Sequence, residues 1–384
     1  MSGQPAGGPR QAPGLRSCPG PLTDAYDTAL LDLDGVVYLG GSGIPGAAEA
    51  LQKAAASMGL AYVTNNASRT PRAIGEQLGQ LGVPVRPGSV ITSAQAAARL
   101  LSERLPYGSA VLVIGGTGLR LAVRERGLRP VTTALDRPAA VVQGYQRGID
   151  YPVLAEGSLA VAAGAIFVAS NADATLPSVR GREPGNGALF QVIKIATGRD
   201  PIVAGKPEPP MHREAMLRTG ARHPLIVGDR LDTDIEGANR VDADSLLVLT
   251  GVSRASDALV APPRRRPSYV AADLTGLLEP HPVPTGGQNE PLRCNGWQAR
   301  WVDGGTAGNR ASRGTTGADA RGVVAAGAGK DGHDGHRAGD SERLELTGSG
   351  DPIDAFRVLC AACWSRDGVA ADMVADALRV AGLD

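Results

Sequence analysis

Aromatic side chains are scarce. Three Phe, three Trp and seven Tyr make up 3% of the 384 residues, too few for the stacking platforms that hold single-stranded nucleic acid. A surplus of either charge is also missing. The 39 Lys and Arg balance 39 Asp and Glu, which leaves nothing for a nucleic-acid groove or a polybasic membrane anchor. No apolar run reaches the length of a membrane span. The first 23 residues, rich in Gly and Pro, contain no run of signal-peptide length and read as a disordered leader. Cysteine is limited to Cys18, Cys294, Cys360 and Cys363, scattered and too few to staple a chain this long. A reducing cytoplasm is the expected compartment.

What is present is an α/β pattern. Apolar residues make up 42% of the chain, and its length predicts two or three domains. From Thr28 to Pro280, short apolar runs alternate with Ala/Leu-rich helical stretches. The runs at 29–32, 60–64 and 224–229 are continuous, as strands buried on both faces of a parallel sheet must be. Thr70-Pro71 is a helix start and Gly82 a stop; a helix is predicted over 46–58, ended by Gly59. The expected fold is a doubly wound parallel sheet, Rossmann-like, with its ligand at the carboxyl ends of the strands.

A second α/β module is expected within 107–200, with strands at 110–115, 139–144 and 165–170 and helices over 117–126, 152–163 and 187–197. It interrupts a catalytic core of 24–106 and 201–280 and reads as a cap that closes over the site. Beyond Pro280 the sequence predicts a linker, a low-complexity stretch over 303–342 and a small α+β extension, together 281–384. In that extension 295–302 and 342–348 pair as a hairpin, and a helix capped by Asp351 follows.

Four clusters carry the chemistry. Asp32 and Asp34 end the first strand and, with Gly35 turning the chain, can share one pocket; a strand-tip carboxylate can accept a phosphoryl group if a cation neutralises it. Thr64 and Asn65, followed by Asn66, end the next strand, where a hydroxyl, an amide and backbone N–H groups can bind phosphate oxygens. Lys206, between Gly205 and Pro207, offers a held ammonium. Asp229, Asp232 and Asp234 follow a third apolar strand; hard carboxylate oxygens suit Mg²⁺, and Asp232 reads as the cap of the helix that begins there. Each cluster alone also fits ordinary loop chemistry. Together, at successive strand ends of one sheet, they converge.

This set resembles the four motifs of haloacid dehalogenase-type phosphatases over residues 24–275. GGSGIPGA near the first motif, and SNADATLPSVRG with PGNG in the insert, are similar to the class IIA capped branch, which includes p-nitrophenylphosphatases and phosphoglycolate, glycerol 3-phosphate and pyridoxal phosphate phosphatases. The resemblance implies that Asp32 is the nucleophile and Asp34 the acid and then the base. Thr64, Asn65 and Lys206 would hold the phosphoryl group. Asp32, the Asp34 main-chain carbonyl and Asp229 would ligate Mg²⁺, with Asn66 and Asp234 in support. It also implies a small phosphorylated metabolite as partner, with a homodimer through the cap in prospect. The insert has few aromatics for stacking a ring, so glycerol 3-phosphate is the expected substrate, ahead of phosphoglycolate and then pyridoxal phosphate or nucleotides. Within the insert, Asn171, Asp173 and Asn186 are the expected leaving-group contacts.

Other features are expected to carry no chemistry. The glycines of 114–120 lack the full dinucleotide-loop spacing, Cys360 and Cys363 have no second pair, and Arg264 to Arg266 read as a solvated run. A receiver domain would place its lysine last. An ion-pumping ATPase would carry Thr at 34 and need membrane helices, and a dehalogenase would need no metal. A vestigial core serving as a binding module is the alternative from another class.

Overall fold

A computed structural model describes residues 14–178, 180–287, 290–302 and 342–383. Six parallel strands form the core sheet. Their order is Tyr269–Ala271, Asp244–Val248, Pro224–Gly228, Thr28–Leu31, Gly59–Thr64 and Val90–Thr92. The reason the runs are continuously apolar is visible in their alternation. Ala29, Leu31, Tyr62, Leu225 and Val227 enter one apolar cluster, while Leu30, Ala61, Val63 and Ile226 enter another on the opposite face. The second cluster does not stop at the core. It continues through Leu100, Leu119 and Val123 into Val111, Val113 and Val142 of the inserted module, so core and insert share packed interior.

The insert has its own parallel sheet, in the order Ile202–Val203, Ile166–Ala169, Ala140–Gln143, Ala110–Ile114 and Arg129–Val131. Its other face is covered by helices Tyr151–Ala162 and Asn186–Thr197. Asp150 caps the first of these by accepting from the Val153 N–H. A hairpin, Thr175–Ser178 with Gly181–Pro184, projects between sheet and helix. The glycine turn at 115–116 leads into helix Thr117–Glu125.

Several expectations change. The helix predicted over 46–58 spans Ala47–Ala54, and Gly59 begins the next strand instead of ending that helix. The leader is ordered from residue 14: the Arg16 N–H donates to the Ser268 carbonyl, and Cys18 and His281 exchange main-chain hydrogen bonds. The expected linker after Pro280 contains strands. Thr285–Gly287, Glu290–Cys294, Trp297–Val302 and Arg343–Gly348 form an antiparallel sheet in which the last two are the anticipated pair. Helix Pro352–Trp364, capped by Asp351, packs on this sheet and buries Phe356 against core residues including Leu231, Ile235, Leu247 and Val270. The arginine run is a clasp. Arg265 pairs with Glu236 at 2.7 Å, while the Arg266 guanidinium lies 5.5 Å from the Trp364 ring centre and donates to the Trp364 carbonyl. Cys360 and Cys363 are free and buried. The low-complexity stretch, 303–341, lies outside the described residues, and so do residues 1–13. No described helix is long and apolar enough to cross a membrane.

Candidate active site

Of three adjacent strands of the core sheet, one ends in Thr64 and the other two lead directly into Asp32 and Asp229. The Asp32 N–H donates to the Val227 carbonyl at 2.8 Å, the last parallel-ladder bond before the chain turns away. Gly35 makes that turn at φ +86°, and a Cβ there would lie 2.5 Å from Asp229 Oδ2; only glycine allows both the left-handed backbone and the approach.

Lys206 is at the centre, 3% exposed, with its Nζ 2.7 Å from Asp32 Oδ1, 2.7 Å from Asp234 Oδ1 and 3.2 Å from the Val63 carbonyl. Burial works against the ammonium, but Asp234 and Asp32 overcome it and hold Lys206 charged well above the ordinary lysine range. Its main chain is pinned by Asn65, whose Oδ1 accepts from the Lys206 N–H at 2.9 Å and whose Nδ2 donates to the Lys206 carbonyl at 3.2 Å. The Thr64 hydroxyl accepts from the Asn66 N–H, and Asn66 Oδ1 accepts from the Ser68 and Arg69 main chain, closing the loop after the strand.

Asp32, Asp229 and Asp234 offer oxygens within 4.8 Å of one another. Asp234 is satisfied by Lys206 and by the Arg230 N–H at 3.2 Å. Asp229 is not: Oδ2 accepts from the Val252 N–H at 2.6 Å, but Oδ1, buried, has no hydrogen-bond partner among the described residues. Burial, reinforced by Asp234 and Asp32, pushes Asp229 up to about 8, and burial raises Asp32 to about 6 despite Lys206. One ammonium among two buried carboxylates and a half-buried third, with an orphaned oxygen beside them, is a donor set that fits a hard divalent cation. Asp34 stands at the open side of the site. Burial among the surrounding protein, then Asp32, raises it to about 6, and the Tyr38 hydroxyl lies beside it.

The insert reaches this site through 171–173. Asp173 Oδ1 accepts from Asn65 Nδ2 at 3.2 Å, and burial raises its carboxyl against the field of Arg230. Asn171 Nδ2 donates to the Asn65 carbonyl at 2.7 Å, and Asn186 Nδ2 donates to the Asn171 carbonyl at 2.8 Å. Asp232 does not cap a helix. It takes the Arg230 guanidinium on both oxygens, at 3.0 and 2.9 Å, and the segment Leu231–Ile235 begins without a side-chain cap. Arg230 and Tyr38 were not read from the sequence as site residues. Arg230 stands inside the acidic motif itself, which was the available signal.

Fold and site define a capped α/β phosphohydrolase. Residues 29–129 match a family model described as haloacid dehalogenase-like hydrolase, and residues 203–277 match one described as HAD-hydrolase-like. The D-glycerol 3-phosphate phosphatase of Mycobacterium tuberculosis is 46% identical over 256 residues, 67% of this chain and 72% of that protein. The acid sugar phosphatase of Staphylococcus aureus is 37% identical over 256 residues, 66% of this chain and 97% of that protein. A crystal structure of a glycerol phosphate phosphatase from Mycobacterium tuberculosis in complex with magnesium superposes with a TM-score of 0.75 at 36% identity, covering 95% of this chain and 100% of that one. The chain belongs to the haloacid dehalogenase-like hydrolases, and it is a phosphatase of the capped class IIA branch.

Proposed function

We propose that the chain hydrolyses small polyol phosphate monoesters, glycerol 3-phosphate foremost, through a phospho-aspartate on Asp32. The observation that carries this reading is the Asp32–Lys206–Asp234 chain, centred on a buried ammonium, beside the orphaned Asp229 oxygen. An Asp32 oxygen attacks phosphorus as the ester P–O bond breaks, and Asp34, protonated, gives its proton to the departing alkoxide. Asp34 then takes a proton from water, whose oxygen attacks phosphorus and releases Asp32 and inorganic phosphate. Thr64, Lys206 and the main chain at Asn65 hold the phosphoryl oxygens. Asp32, the main-chain carbonyl of Asp34 and Asp229 hold Mg²⁺, supported by Asn66 and Asp234. When bound, the cation neutralises the phosphate so that a carboxylate can approach it.

Asp173 contacts the leaving group, since a carboxylate at the cap edge can accept hydrogen bonds from polyol hydroxyls. Asn171 and Asn186 position that segment, having given amide N–H groups to main-chain carbonyls. Two further assignments rest on surface and redox chemistry. A homodimer through the cap is supported by exposed Leu159, Val192 and Ile195 on its paired outer helices. A cytoplasmic setting is supported by four free, buried cysteines. Phosphate release should be measured across glycerol 3-phosphate, phosphoglycolate, pyridoxal phosphate and a nucleoside monophosphate. The highest kcat/KM is expected for glycerol 3-phosphate; a much higher value for either ring-bearing ester overturns the assignment.

A further inference from the structure

Away from the acidic cluster, a cavity of about 390 Å³ lies at the seam between the core and the insert, lined by Gln95, Arg99, Ala122, Glu125, Arg126 and Arg218. Behind its wall is Glu214, fully buried on helix Pro209–Thr219. Its carboxylate accepts from Arg126 Nη2 at 2.8 Å, from Arg218 Nε at 2.5 Å and from Arg99 Nε. The three guanidinium groups come from three elements. Arg99 lies on helix Ser93–Ser102 and Arg218 on the Glu214 helix, both in the core, while Arg126 ends helix Thr117–Glu125 of the insert.

Two carboxylate oxygens cannot satisfy three guanidinium groups. Each arginine gives Glu214 one N–H, and among the described residues their other N–H groups have only one further carboxylate partner, Glu103, 3.9 Å from Arg99 Nη1. Glu103 and Glu125 are exposed, where water screens them. Glu214 therefore gathers three cations around one buried anion, and the cavity wall carries those three cations beside the exposed Glu125, but not Glu214. Guanidinium forks presented from three directions match the several oxygens of a tetrahedral oxyanion. The volume falls within the range of small-molecule pockets, roughly 300–1,000 Å³.

We propose that this seam cavity binds a small phosphate-bearing anion, inorganic phosphate or a phosphate monoester. Because Arg126 belongs to the insert and its two partners to the core, the anion ties the modules together at a point separate from the acidic cluster. Product or substrate phosphate then acts on how the cap sits.

The test is isothermal titration of the full chain carrying Asp32→Asn, in magnesium, with inorganic phosphate in one arm and glycerol 3-phosphate in the other. Inorganic phosphate is expected to show an equivalent beyond the active-site one; a second equivalent of the ester as well would mean that the phosphate group alone is recognised. Adding Arg126→Gln should weaken the extra equivalent at least tenfold and leave the other unchanged. Adding Glu214→Gln, which withdraws the competing charge and keeps one acceptor oxygen for the guanidinium groups, should tighten it severalfold. A single equivalent of both anions in the Asp32→Asn chain, or weakening by Glu214→Gln equal to that by Arg126→Gln, overturns the proposal. Neither outcome depends on turnover, so the result stands apart from the substrate assignment.

Discussion

At Asp32 the replacement of one oxygen by an amide nitrogen separates chemistry from folding. Asp32→Asn is nearly isosteric, and Lys206 keeps Asp234 as its counter-charge, so the fold should persist with an unchanged circular dichroism spectrum. The oxygen proposed to attack phosphorus is lost, and steady-state phosphate release should fall by a factor of about 10⁴ or more. Turnover within tenfold of the parent would rule out the covalent route. Asp229 allows a sharper test, because its Oδ1 is buried without a hydrogen-bond partner and its carboxyl is pushed up to about 8 by burial and by Asp234 and Asp32. Without a cation that buried carboxyl, with one oxygen unpartnered, is a liability. In EDTA, Asp229→Ala should melt no lower than the parent, whereas the rise in Tm that magnesium gives the parent should be lost along with activity. A magnesium-dependent rise in Tm of parental size in the variant would remove Asp229 from the metal site.

Between elements, the junction of helix Pro352–Trp364 with the core depends on a neutral histidine. His281 is 1% exposed, shares a hydrogen bond with the Gly276 carbonyl through Nε2 at 2.7 Å, and faces Arg357 Nη2 across 3.3 Å at Nδ1. The ring stacks edge-on against Tyr269, and Arg357 is in turn paired with Asp354 at 2.5 Å. Nε2 must donate to the carbonyl and Nδ1 must accept from the guanidinium, so a second ring proton would point at Arg357. Burial chiefly, then Arg357, lowers the His281 pKa to about 4. The unfolded chain therefore binds the extra proton first. The stabilisation is complete above about 6.5 and is lost as pH falls from there toward 4, on the order of 3 kcal/mol over the window. Thermal melts of the parent and His281→Asn should differ by a constant amount above that window and converge as pH falls through it. A constant difference down to pH 4 would contradict the assignment. None of this was legible in the sequence, since Arg357 and His281 are 76 positions apart. What was legible were the long, fully apolar strands that end in polar residues, because burial on both faces leaves its mark along the chain itself. The short edge strands Arg129–Val131, Ile202–Val203 and Thr285–Gly287 escaped because two or three residues carry no period, and Gly286 at φ +102° reads as a turn. At the site, the order of Asp32, Thr64, Lys206 and Asp229 could be seen from their places in the chain. The engagement of the Asn65 amide with the Lys206 main chain, 141 residues on, could not.

On the scale of the whole molecule, the C-terminal extension packs as a third layer. The Mycobacterium tuberculosis glycerol phosphate phosphatase structure superposes over 95% of this chain, so the likeness extends beyond the 256 residues aligned by sequence. Phe356, Leu359 and Cys360 share one apolar cluster with Leu231 and Ile235, which flank Asp232 and Asp234 in the acidic loop. The Arg266–Trp364 contact and the Trp364 Nε1 donation to the Ala258 carbonyl fasten the same layer from the other side. Ending the chain at Pro280 would leave Leu231, Ile235, Leu247 and Val270 without their cover, and would remove both the His281 ring and its Arg357 partner. Each large apolar side chain returned to water costs about 1.5–3 kcal/mol, so several together rival the stability of a typical domain. The shortened protein should therefore melt well below the full chain and tend to aggregate. At temperatures where it remains folded, it should bind magnesium more weakly, because the loop carrying Asp229 and Asp234 has lost its support. Phe356→Ala, a smaller insult at about 3–5 kcal/mol, should move Tm and magnesium affinity in the same direction. A chain ending at Pro280 with the parent's Tm and magnesium affinity would show that the acidic loop stands without this layer.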